Sequence, residues 1–245
     1  MIPARKSAAF NFVLRRWMVR TVRRRFHNVY VAGGEHLAAL PPGRPVVGCV
    51  NHTNWWDGFV LYVLSHRLLP HDIYLAMEEE NLRRYRFFTW MGVFGVDLSS
   101  RRAGLAGMRY ALGLLRRGVP APLVWMFVQG KLLPPRVPVE AKPGATFLAG
   151  RTGALLLPLT LRYEWLNESR PSVFVRVGKP LEPETPSAGV ADALNRLLAE
   201  TDGTFDPPDL HTYRPLFAPA MSMNKRWDYL VHLGLRRGGV FDKQN

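Results

Sequence analysis

The chain has 245 residues, 47% of them hydrophobic, and a formal net charge of +14 from 33 Lys and Arg against 19 Asp and Glu. This length and composition suffice for a large core and exclude intrinsic disorder, while the single cysteine, Cys49, excludes an internal disulfide framework and any multi-cysteine metal site. So high a charge predicts an anionic partner: nucleic acid, a membrane surface or an acidic substrate.

The amino-terminal segment carries the densest charge, since residues 1–27 contain eight Lys and Arg and no acidic residue. Within it, residues 8–26 predict an amphipathic helix with an apolar face opposite a basic one. Such a helix is typical of proteins that lie in a membrane interface, although the same apolar face could pack on the domain instead. The apolar face comprises Phe10, Val13, Leu14, Trp17 and Met18, and the basic face comprises Arg15, Arg16, Arg20 and Arg23.

From residue 28 onward, short apolar runs alternate with helical patterns, which predicts an α/β domain with a central, mostly parallel sheet flanked by helices. Strands are predicted at Val29–Val31, Pro45–Val50, Asp72–Met77, Val93–Val96, Leu123–Phe127, Ala154–Leu161 and Val173–Val177. Helices are predicted at Asp57–His66, Asn81–Trp90, Ala103–Arg117, residues 143–149, Gly189–Glu200 and Ser222–Arg237.

These elements divide the chain into three parts. Residues 1–27 form the basic amphipathic helix, residues 28–205 the α/β domain, and residues 206–245 a connector and a carboxyl-terminal helix. No apolar run reaches the roughly 20 residues that a membrane-spanning helix needs, and arginines interrupt the amino end where a signal peptide would be apolar. The sequence therefore predicts a protein without a transmembrane helix.

A histidine and an aspartate stand at the junction between a predicted buried strand and a helix. Residues 51–57 read Asn-His-Thr-Asn-Trp-Trp-Asp. The carboxyl ends of strands are where α/β sheets build their sites. A histidine in that place can act as a general base near neutral pH, and a nearby aspartate can orient the imidazole and stabilise its charged form. This segment predicts His52 and Asp57 as a catalytic pair.

Other kinds of active site have little support in the sequence. There is no Gly-x-Ser-x-Gly motif of a serine hydrolase and no His-Glu-x-x-His motif of a zinc protease. Gly130-Lys131 lacks the upstream glycine and the following Ser or Thr of a phosphate-binding loop. Cys49 falls inside an apolar strand, which indicates a core residue rather than a nucleophile.

Three further segments follow the histidine segment. Residues 92–97 read Gly-Val-Phe-Gly-Val-Asp, residues 127–131 read Phe-Val-Gln-Gly-Lys, and residues 155–159 read Leu-Leu-Leu-Pro-Leu. Together with Asn51, His52 and Asp57, which match an Asn-His-x-x-x-x-Asp block, they resemble, in order, the four blocks of the glycerolipid acyltransferase superfamily. That superfamily includes glycerol-3-phosphate and 1-acylglycerol-3-phosphate acyltransferases, and the resemblance spans residues 28–200.

This resemblance implies transfer of an acyl group from acyl-CoA or acyl-carrier protein to a lipid hydroxyl. His52 would remove the hydroxyl proton, Asp57 would orient the imidazole, and no metal or further cofactor would take part. Eight further residues, in the matched blocks or among the basic residues near them, would bind the substrates. These are Asn51, Arg101, Arg102, Phe127, Gln129, Gly130, Lys131 and Arg136.

The chain departs from the family pattern where the family holds its acceptor. Leu98 stands in place of an arginine, Gln129 in place of a glutamate, and Lys131-Leu132 in place of Thr-Arg. A leucine removes the bidentate phosphate contact that an arginine makes. The expected acceptor is therefore 1-acylglycerol-3-phosphate or a related glycerolipid, with a glycolipid or a carotenoid glycoside as the alternative.

Two other classes of protein are weaker interpretations. A nucleic-acid-binding module has only the charge in its favour, because no nucleic-acid motif is present. An inactive scaffold is disfavoured by the retention of both His52 and Asp57. We thus expect an acyl thioester donor, a lipid acceptor, a membrane surface contacted through residues 8–26, and no nucleic acid. The expected location is peripheral, on the cytoplasmic side of the membrane.

Overall fold

Eight strands form one sheet in the part of the chain that the computed structural model describes, residues 1–205 and 209–218. The strands are β1 (Val29–Ala32), β2 (Val46–Val50), β3 (Asp72–Glu78), β4 (Val93–Val96), β5 (Pro122–Phe127), β6 (Leu155–Glu164), β7 (Ser172–Val177) and β8 (Arg214–Pro215). Their order across the sheet is β4-β3-β5-β2-β6-β7-β1-β8. Strand β2, which precedes the histidine segment, therefore lies well inside the sheet.

Most neighbouring strands are parallel, as the alternation of strands and helices predicted. Parallel pairing joins β4, β3, β5, β2 and β6, and it also joins β7 to β1. Strands β6 and β7 are antiparallel because only a short connection separates them along the chain, and β8 is antiparallel to β1. All five residues of β2 are buried, which fits a strand covered on both faces.

Helices cover both faces of the sheet. They are α1 (Ala8–Arg25), α2 (Gly34–Ala38), α3 (Asp57–Leu68), α4 (Glu79–Arg84), α5 (Arg101–Leu115), α6 (Gly144–Thr152) and α7 (Ser187–Asp202), with a 3₁₀ helix at Arg86–Met91. Side chains of α1 and α3 bury against one face, and those of α5, α6 and α7 against the other. Successive side chains of β2 point to opposite faces of the sheet. Val46 and Val50 pack in the layer with α1 and α3, and Val47 and Cys49 pack in the layer with α5, α6 and α7.

The predicted amino-terminal helix is present, but its apolar face is divided. Leu14, Met18 and Val22 recur every fourth residue and are buried, and the helix packs against α3. Val13 and Trp17, predicted to lie on the same apolar face, are more than half exposed. The helix α3 and the 3₁₀ helix cover part of the apolar face, and Val13 and Trp17 remain in contact with solvent.

One other helix prediction differs from the structure. The predicted helix Asn81–Trp90 is broken at Tyr85, where α4 gives way to the 3₁₀ helix Arg86–Met91. Tyr85 has a non-helical backbone, and the tightly packed aromatic side chains of Tyr85, Phe87 and Phe88 follow. The predicted carboxyl-terminal helix Ser222–Arg237 lies outside the described residues. Within residues 1–205 and 209–218, no helix is both long and apolar enough to cross a bilayer.

Strands β3 and β5 separate toward their carboxyl ends. They pair from Asp72 with Pro122 to Leu75 with Trp125. Beyond that point β3 continues along β4 to Glu78, and β5 continues along β2 to Phe127. The sheet therefore opens between these two strands at the same edge at which the histidine segment follows β2.

Candidate active site

Side-chain hydrogen bonds tie the loop that carries the histidine to the strand β6 on one side and to the turn after β5 on the other. Asn51 is buried, and its amide accepts a hydrogen bond from the backbone nitrogen of Leu161 (2.8 Å) and donates one to the carbonyl of Leu161 (3.0 Å). On the other side, Oε1 of Gln129 accepts from the backbone nitrogen of His52 (3.0 Å). Both side chains, predicted to contact substrate, thus use these atoms to fix the backbone around His52.

His52 and Asp57 form a hydrogen-bonded pair, with 2.8 Å between Nδ1 of the imidazole and Oδ2 of the carboxylate. The same Oδ2 accepts from the backbone nitrogens of Thr53 and Asn54, each at 2.9 Å. Because Oδ2 already accepts from two N–H groups, it is a carboxylate acceptor, and Nδ1 of His52 must be the donor. This leaves Nε2 unprotonated and able to take a proton.

The second carboxylate oxygen of Asp57 is held by a residue that the sequence did not point to. The hydroxyl of Tyr163 donates to Oδ1 at 2.6 Å, and Asp57 is fully buried. Burial, with the Asp57 charge and hydrogen bond adding to it, raises the pKa of Tyr163 well above its usual value, so the hydroxyl keeps its proton and remains a donor. The two carboxylate oxygens of Asp57 therefore receive four hydrogen bonds, which fix the position of this side chain.

A ring stacked against His52 completes the orientation of the imidazole. The ring centroids of His52 and Phe127 lie 4.0 Å apart, and the two planes differ by 15°. Phe127, predicted from its motif position to bind substrate, thus contacts the imidazole of His52. The His52 side chain retains 23% exposure although its partner has none. The imidazole is therefore the accessible member of the pair.

A cavity of about 780 Å³ opens beside His52. It lies where β3 and β5 separate, and its lining includes side chains from both faces of the sheet, such as Ile73 and Trp125 on one face and Ala76 and Met126 on the other. Its surface is mostly hydrocarbon. This size and character are typical of sites that bind an apolar ligand beside a few polar groups.

Two lysines are the cationic side chains that line this cavity among the described residues. Lys131 was predicted, but Lys142 was not. Lys142 lies across Gly130, where a Cβ atom would come within 2.8 Å of its Nζ. Gly130 also has a φ of +69°, a conformation that favours glycine, so this position leaves room for the lysine.

The predicted arginines are distributed differently. Arg102 and Arg136 are exposed and are not part of the cavity lining, and Arg101 is the first residue of α5. Leu98 and Leu132, which replace family arginines, do line the cavity and are about half exposed. Cys49 is buried in the core, and burial raises its pKa to about 12, so its thiol is a poor nucleophile.

Tyr163 and Lys142 were not predicted as site residues from the sequence, for different reasons. Tyr163 lies beyond the predicted end of its strand at Leu161. The strand β6 runs parallel to β2 as far as Leu159 and then continues along β7 to Glu164, which brings Tyr163 to the edge where β2 ends. A predicted strand that reached Glu164 would have placed Tyr163 at the edge of the sheet where sites are built. Lys142 follows a Pro-rich loop, and nothing in its local sequence indicates that the loop returns to Gly130.

Comparisons with known proteins agree with this architecture. A solved structure of similar fold is that of the 1-acyl-sn-glycerophosphate (LPA) acyltransferase PlsC from Thermotoga maritima, which is 21% identical. The match covers 78% of this chain and 79% of that chain, with a TM-score of 0.57. No sequence relative was found among curated proteins.

The family model described as Acyltransferase matches residues 28–162, which is more than half of the chain. The matched region contains the His52–Asp57 segment, the strands β2 and β5 that position it, and most of β6. The chain therefore belongs to the Acyltransferase family and is an enzyme of that class.

Proposed function

We propose that the protein transfers a fatty acyl group from an acyl thioester to a hydroxyl of a lipid acceptor, with His52 as general base. The observation that carries this proposal is the His52–Asp57 pair at the mouth of a large apolar cavity. The pair supplies a base, and the cavity supplies a site for hydrocarbon. Acyl-CoA or acyl-carrier protein is the donor, and no metal or other cofactor takes part.

In the proposed reaction, Nε2 of His52 takes the proton of the acceptor hydroxyl as its oxygen attacks the thioester carbonyl. Asp57 stabilises the imidazolium that forms, and Tyr163 holds Asp57 in place. The tetrahedral intermediate collapses with cleavage of the carbon–sulfur bond, and the imidazolium returns its proton to the departing thiolate. The products are an ester and a free thiol, and no covalent enzyme intermediate forms.

The acceptor that we propose is 1-acylglycerol-3-phosphate or a related glycerolipid. Lys131 and Lys142 support this choice, because two exposed cations at the cavity can bind a phosphate. We also propose that Asn51 and Gln129 act through the backbone of His52, while Arg101, Arg102 and Arg136 serve the anionic part of the donor. The PlsC likeness is consistent with a phosphate-bearing acceptor.

A non-phosphate acceptor, such as a glycolipid or a carotenoid glycoside, is the second candidate. The observation that favours it is the apolar character of Leu98 and Leu132 at the cavity. Purified enzyme should be offered 1-acylglycerol-3-phosphate, glycerol-3-phosphate and glycosylated lipids, each with acyl-CoA and with acyl-carrier protein. Acylation of the first acceptor supports the proposal, whereas acylation of the glycosylated lipids alone selects the second candidate.

Replacing Tyr163 by phenylalanine is expected to lower kcat about tenfold while the KM values stay unchanged. Asp57 would lose the donor on Oδ1 that helps to hold it where it orients the imidazole of His52. The cavity lining keeps its side chains, so substrate binding should not change. The measurement is kcat and KM for donor and acceptor.

Tyr213→Phe is the matched control, since Tyr213 is also buried and donates to Oγ1 of Thr201 at 3.2 Å, away from the cavity. Its kcat and KM values should equal those of the wild type. An equal loss of kcat in Tyr163→Phe and Tyr213→Phe would mean that Tyr163 only supports the fold.

We propose that the protein binds the cytoplasmic surface of the membrane through α1. Phe12, Val13 and Trp17 are each more than half exposed, and the arginines that follow Leu14 along the helix are exposed as well. Exposed aromatic and basic side chains on one helix suit an interface with anionic headgroups. The stripe at Leu14, Met18 and Val22 holds the helix on the domain, so both interpretations of its amphipathic pattern apply.

Trp17→Ala is expected to weaken binding to vesicles that contain anionic lipid by about tenfold, because a large aromatic surface no longer leaves water. Co-sedimentation measures the effect, and binding should also fall as salt increases. Val119→Ala removes an apolar group that is 92% exposed outside α1 and serves as the control. Equal binding by Trp17→Ala and the wild type would move the membrane contact away from this helix.

A further inference from the structure

The strands of the sheet do not all run in one direction, so their carboxyl ends do not all point the same way. Strand β7 is antiparallel to β6, and β1 is parallel to β7. Because β6 is parallel to β2, the carboxyl ends of β7 and β1 point away from the edge at which His52 follows β2. Ligand sites of α/β sheets form outside the carboxyl ends of strands, so the ends of β1 and β7 provide a second position for one.

A separate cavity of about 510 Å³ lies at these two strand ends. Its lining includes Ala32 and Gly33 at the end of β1, Val177 and Gly178 at the end of β7, and side chains of α7. We call it the α7 cavity. Among the described residues, its lining shares none with the cavity beside His52. The α7 cavity is therefore no extension of the proposed acyl-transfer site.

A glycine brings the two strand ends together. Gly33 has a φ of +73°, a conformation that favours glycine. A Cβ atom at this position would overlap the carbonyl oxygen of Val177. Gly33 thus allows the turn after β1 to pack directly on the end of β7, and backbone forms this side of the cavity.

A largely buried arginine lines the α7 cavity and is held in place by its neighbours. The Arg176 side chain is only 14% exposed. Its Nε donates to Oγ1 of Thr201 at 3.2 Å, and its Nη1 lies 3.4 Å from Oε2 of Glu200. The guanidinium also lies over the ring of Tyr213. Because these contacts fix the guanidinium, it can bind an anion with little loss of side-chain freedom.

Two exposed cations, Lys179 and Arg196, line the same cavity. Neither forms an ion pair within residues 1–205 and 209–218. Together with Arg176 they place three positive charges around one space. Arginine and lysine are the side chains that bind phosphate groups most strongly, through charged hydrogen bonds.

Two carboxylates line the cavity as well, and both have partners of their own. Glu200 pairs with Arg176 at 3.4 Å. Glu35 is largely exposed and lies 3.9 Å from Nε2 of His36. These carboxylates therefore do not pair with the two exposed cations, which remain for an anionic ligand.

The cavity has room for more than an inorganic ion. At about 30 Å³ for a group the size of water, 510 Å³ holds roughly 17 such groups, more than a phosphate ion fills. Hydrocarbon of Pro158, Leu181 and Leu197 lines part of this space. A ligand that carries an organic group beside its phosphate matches both the size and the apolar wall.

The position of the cavity favours a soluble ligand over a lipid headgroup. Side chains of α1, the proposed membrane contact, pack on one face of the sheet, and those of α7 pack on the other. A bilayer that contacts the exposed side of α1 would therefore lie on the far side of the sheet from the α7 cavity.

We infer that the α7 cavity binds a soluble organic phosphate. The phosphate contacts Arg176, Lys179 and Arg196, and the organic group packs against the apolar wall. This site goes beyond the proposed function, because it uses no residue of the cavity beside His52.

Isothermal titration of the full chain with ADP and with pyrophosphate tests the inference, since the two probes differ by an organic group. The wild type should bind ADP, and more tightly than pyrophosphate. Lys179→Ala and Arg196→Ala should each raise the Kd for ADP about tenfold. Two controls should leave this Kd unchanged. Lys131→Ala removes a cation from the cavity beside His52, and Arg109→Ala removes an exposed cation of α5 outside both cavities.

Acetylation of the wild type, followed by mass spectrometry, gives a readout that needs no substitution. Bound ADP should slow the acetylation of Lys179, because its amine would contact the phosphate. Unchanged acetylation of Lys179 at saturating ADP would place the nucleotide elsewhere and overturn the inference.

Other outcomes would also overturn it. The first is a wild type that binds neither probe, and the second is an equal Kd for ADP and pyrophosphate, which would exclude an organic ligand. A Kd raised by Lys131→Ala but not by Lys179→Ala would assign the anion to the cavity beside His52. Binding to vesicles of phosphatidic acid that requires Lys179, without binding of ADP, would make a lipid headgroup the occupant. None of these results bears on acyl transfer, which is measured separately.

Discussion

Replacing His52 by alanine is expected to lower kcat by about 10²- to 10⁴-fold, the contribution of a well-placed general base. The variant should still bind acyl donor and acceptor, because the cavity walls and the lysines are untouched. The KM values should therefore change little while kcat falls. Initial rates of ester formation with saturating acyl-CoA and 1-acylglycerol-3-phosphate measure the effect.

The fold should survive this substitution. The His52 side chain is partly exposed, and its backbone hydrogen bonds to Gln129 and Leu133 remain in the variant. His211→Ala is the matched control, since His211 is an exposed histidine that also pairs with an aspartate, Asp209, at 2.6 Å. Turnover by His52→Ala at a rate close to that of His211→Ala would remove the general base from the mechanism.

Replacing Asp57 by asparagine is expected to lower kcat over a similar range, about 10²- to 10⁴-fold. An asparagine has one acceptor atom where Asp57 has two, so it cannot accept from Nδ1 of His52 and from Tyr163 as the carboxylate does. If the amide nitrogen faces Nδ1, the imidazole places its proton on Nε2, and the base is lost. The imidazolium also loses its counter-charge.

Two measurements separate this catalytic effect from damage to the fold. Because Asp57 and His52 act as a unit, the double variant should be no slower than the slower single variant. Asp57 is fully buried with four hydrogen bonds, so Asp57→Asn should also cost about 1–3 kcal/mol of stability, visible as a lower Tm. Multiplicative losses in the double variant would show that the two residues act separately.

The architecture was predictable because its strands are short, apolar and bounded by turns. Val93–Val96 was predicted with the observed ends, and the other strands from Val29 to Val177 were found within a few residues of the predicted limits. Buried parallel strands leave a strong signal, since both of their faces must be apolar. The segment from Asn51 to Asp57 was predictable as a site for the same reason, because it directly follows such a strand.

Features that depend on distant contacts were not predictable. The hydrogen bond between Tyr163 and Asp57 joins residues that are 106 positions apart, and it depends on β6 lying beside β2. The division of the α1 face depends on how much of it α3 covers, which periodicity alone does not reveal. The cavity beside His52 likewise depends on the separation of β3 and β5, and no local pattern marks that point.

The leucines at positions 98 and 132 illustrate how the structure changes an interpretation. In the sequence, these leucines replace arginines of the family pattern, which makes a phosphate-bearing acceptor less expected. In the structure they line the cavity near two lysines, and Lys142 adds a charge that sequence comparison did not supply. The two leucines therefore extend the apolar lining of the cavity that the two lysines also line.

The central claim is acyl transfer to a lipid hydroxyl by His52. Its most direct test is mass spectrometry of the ester formed by purified wild type and His52→Ala from acyl-CoA and 1-oleoyl-glycerol-3-phosphate, with free CoA measured in parallel. The wild type should form one two-chain product for each CoA released, and His52→Ala should form it at least about 100 times more slowly. Release of CoA without acylated lipid, or equal product from both proteins, would contradict the claim.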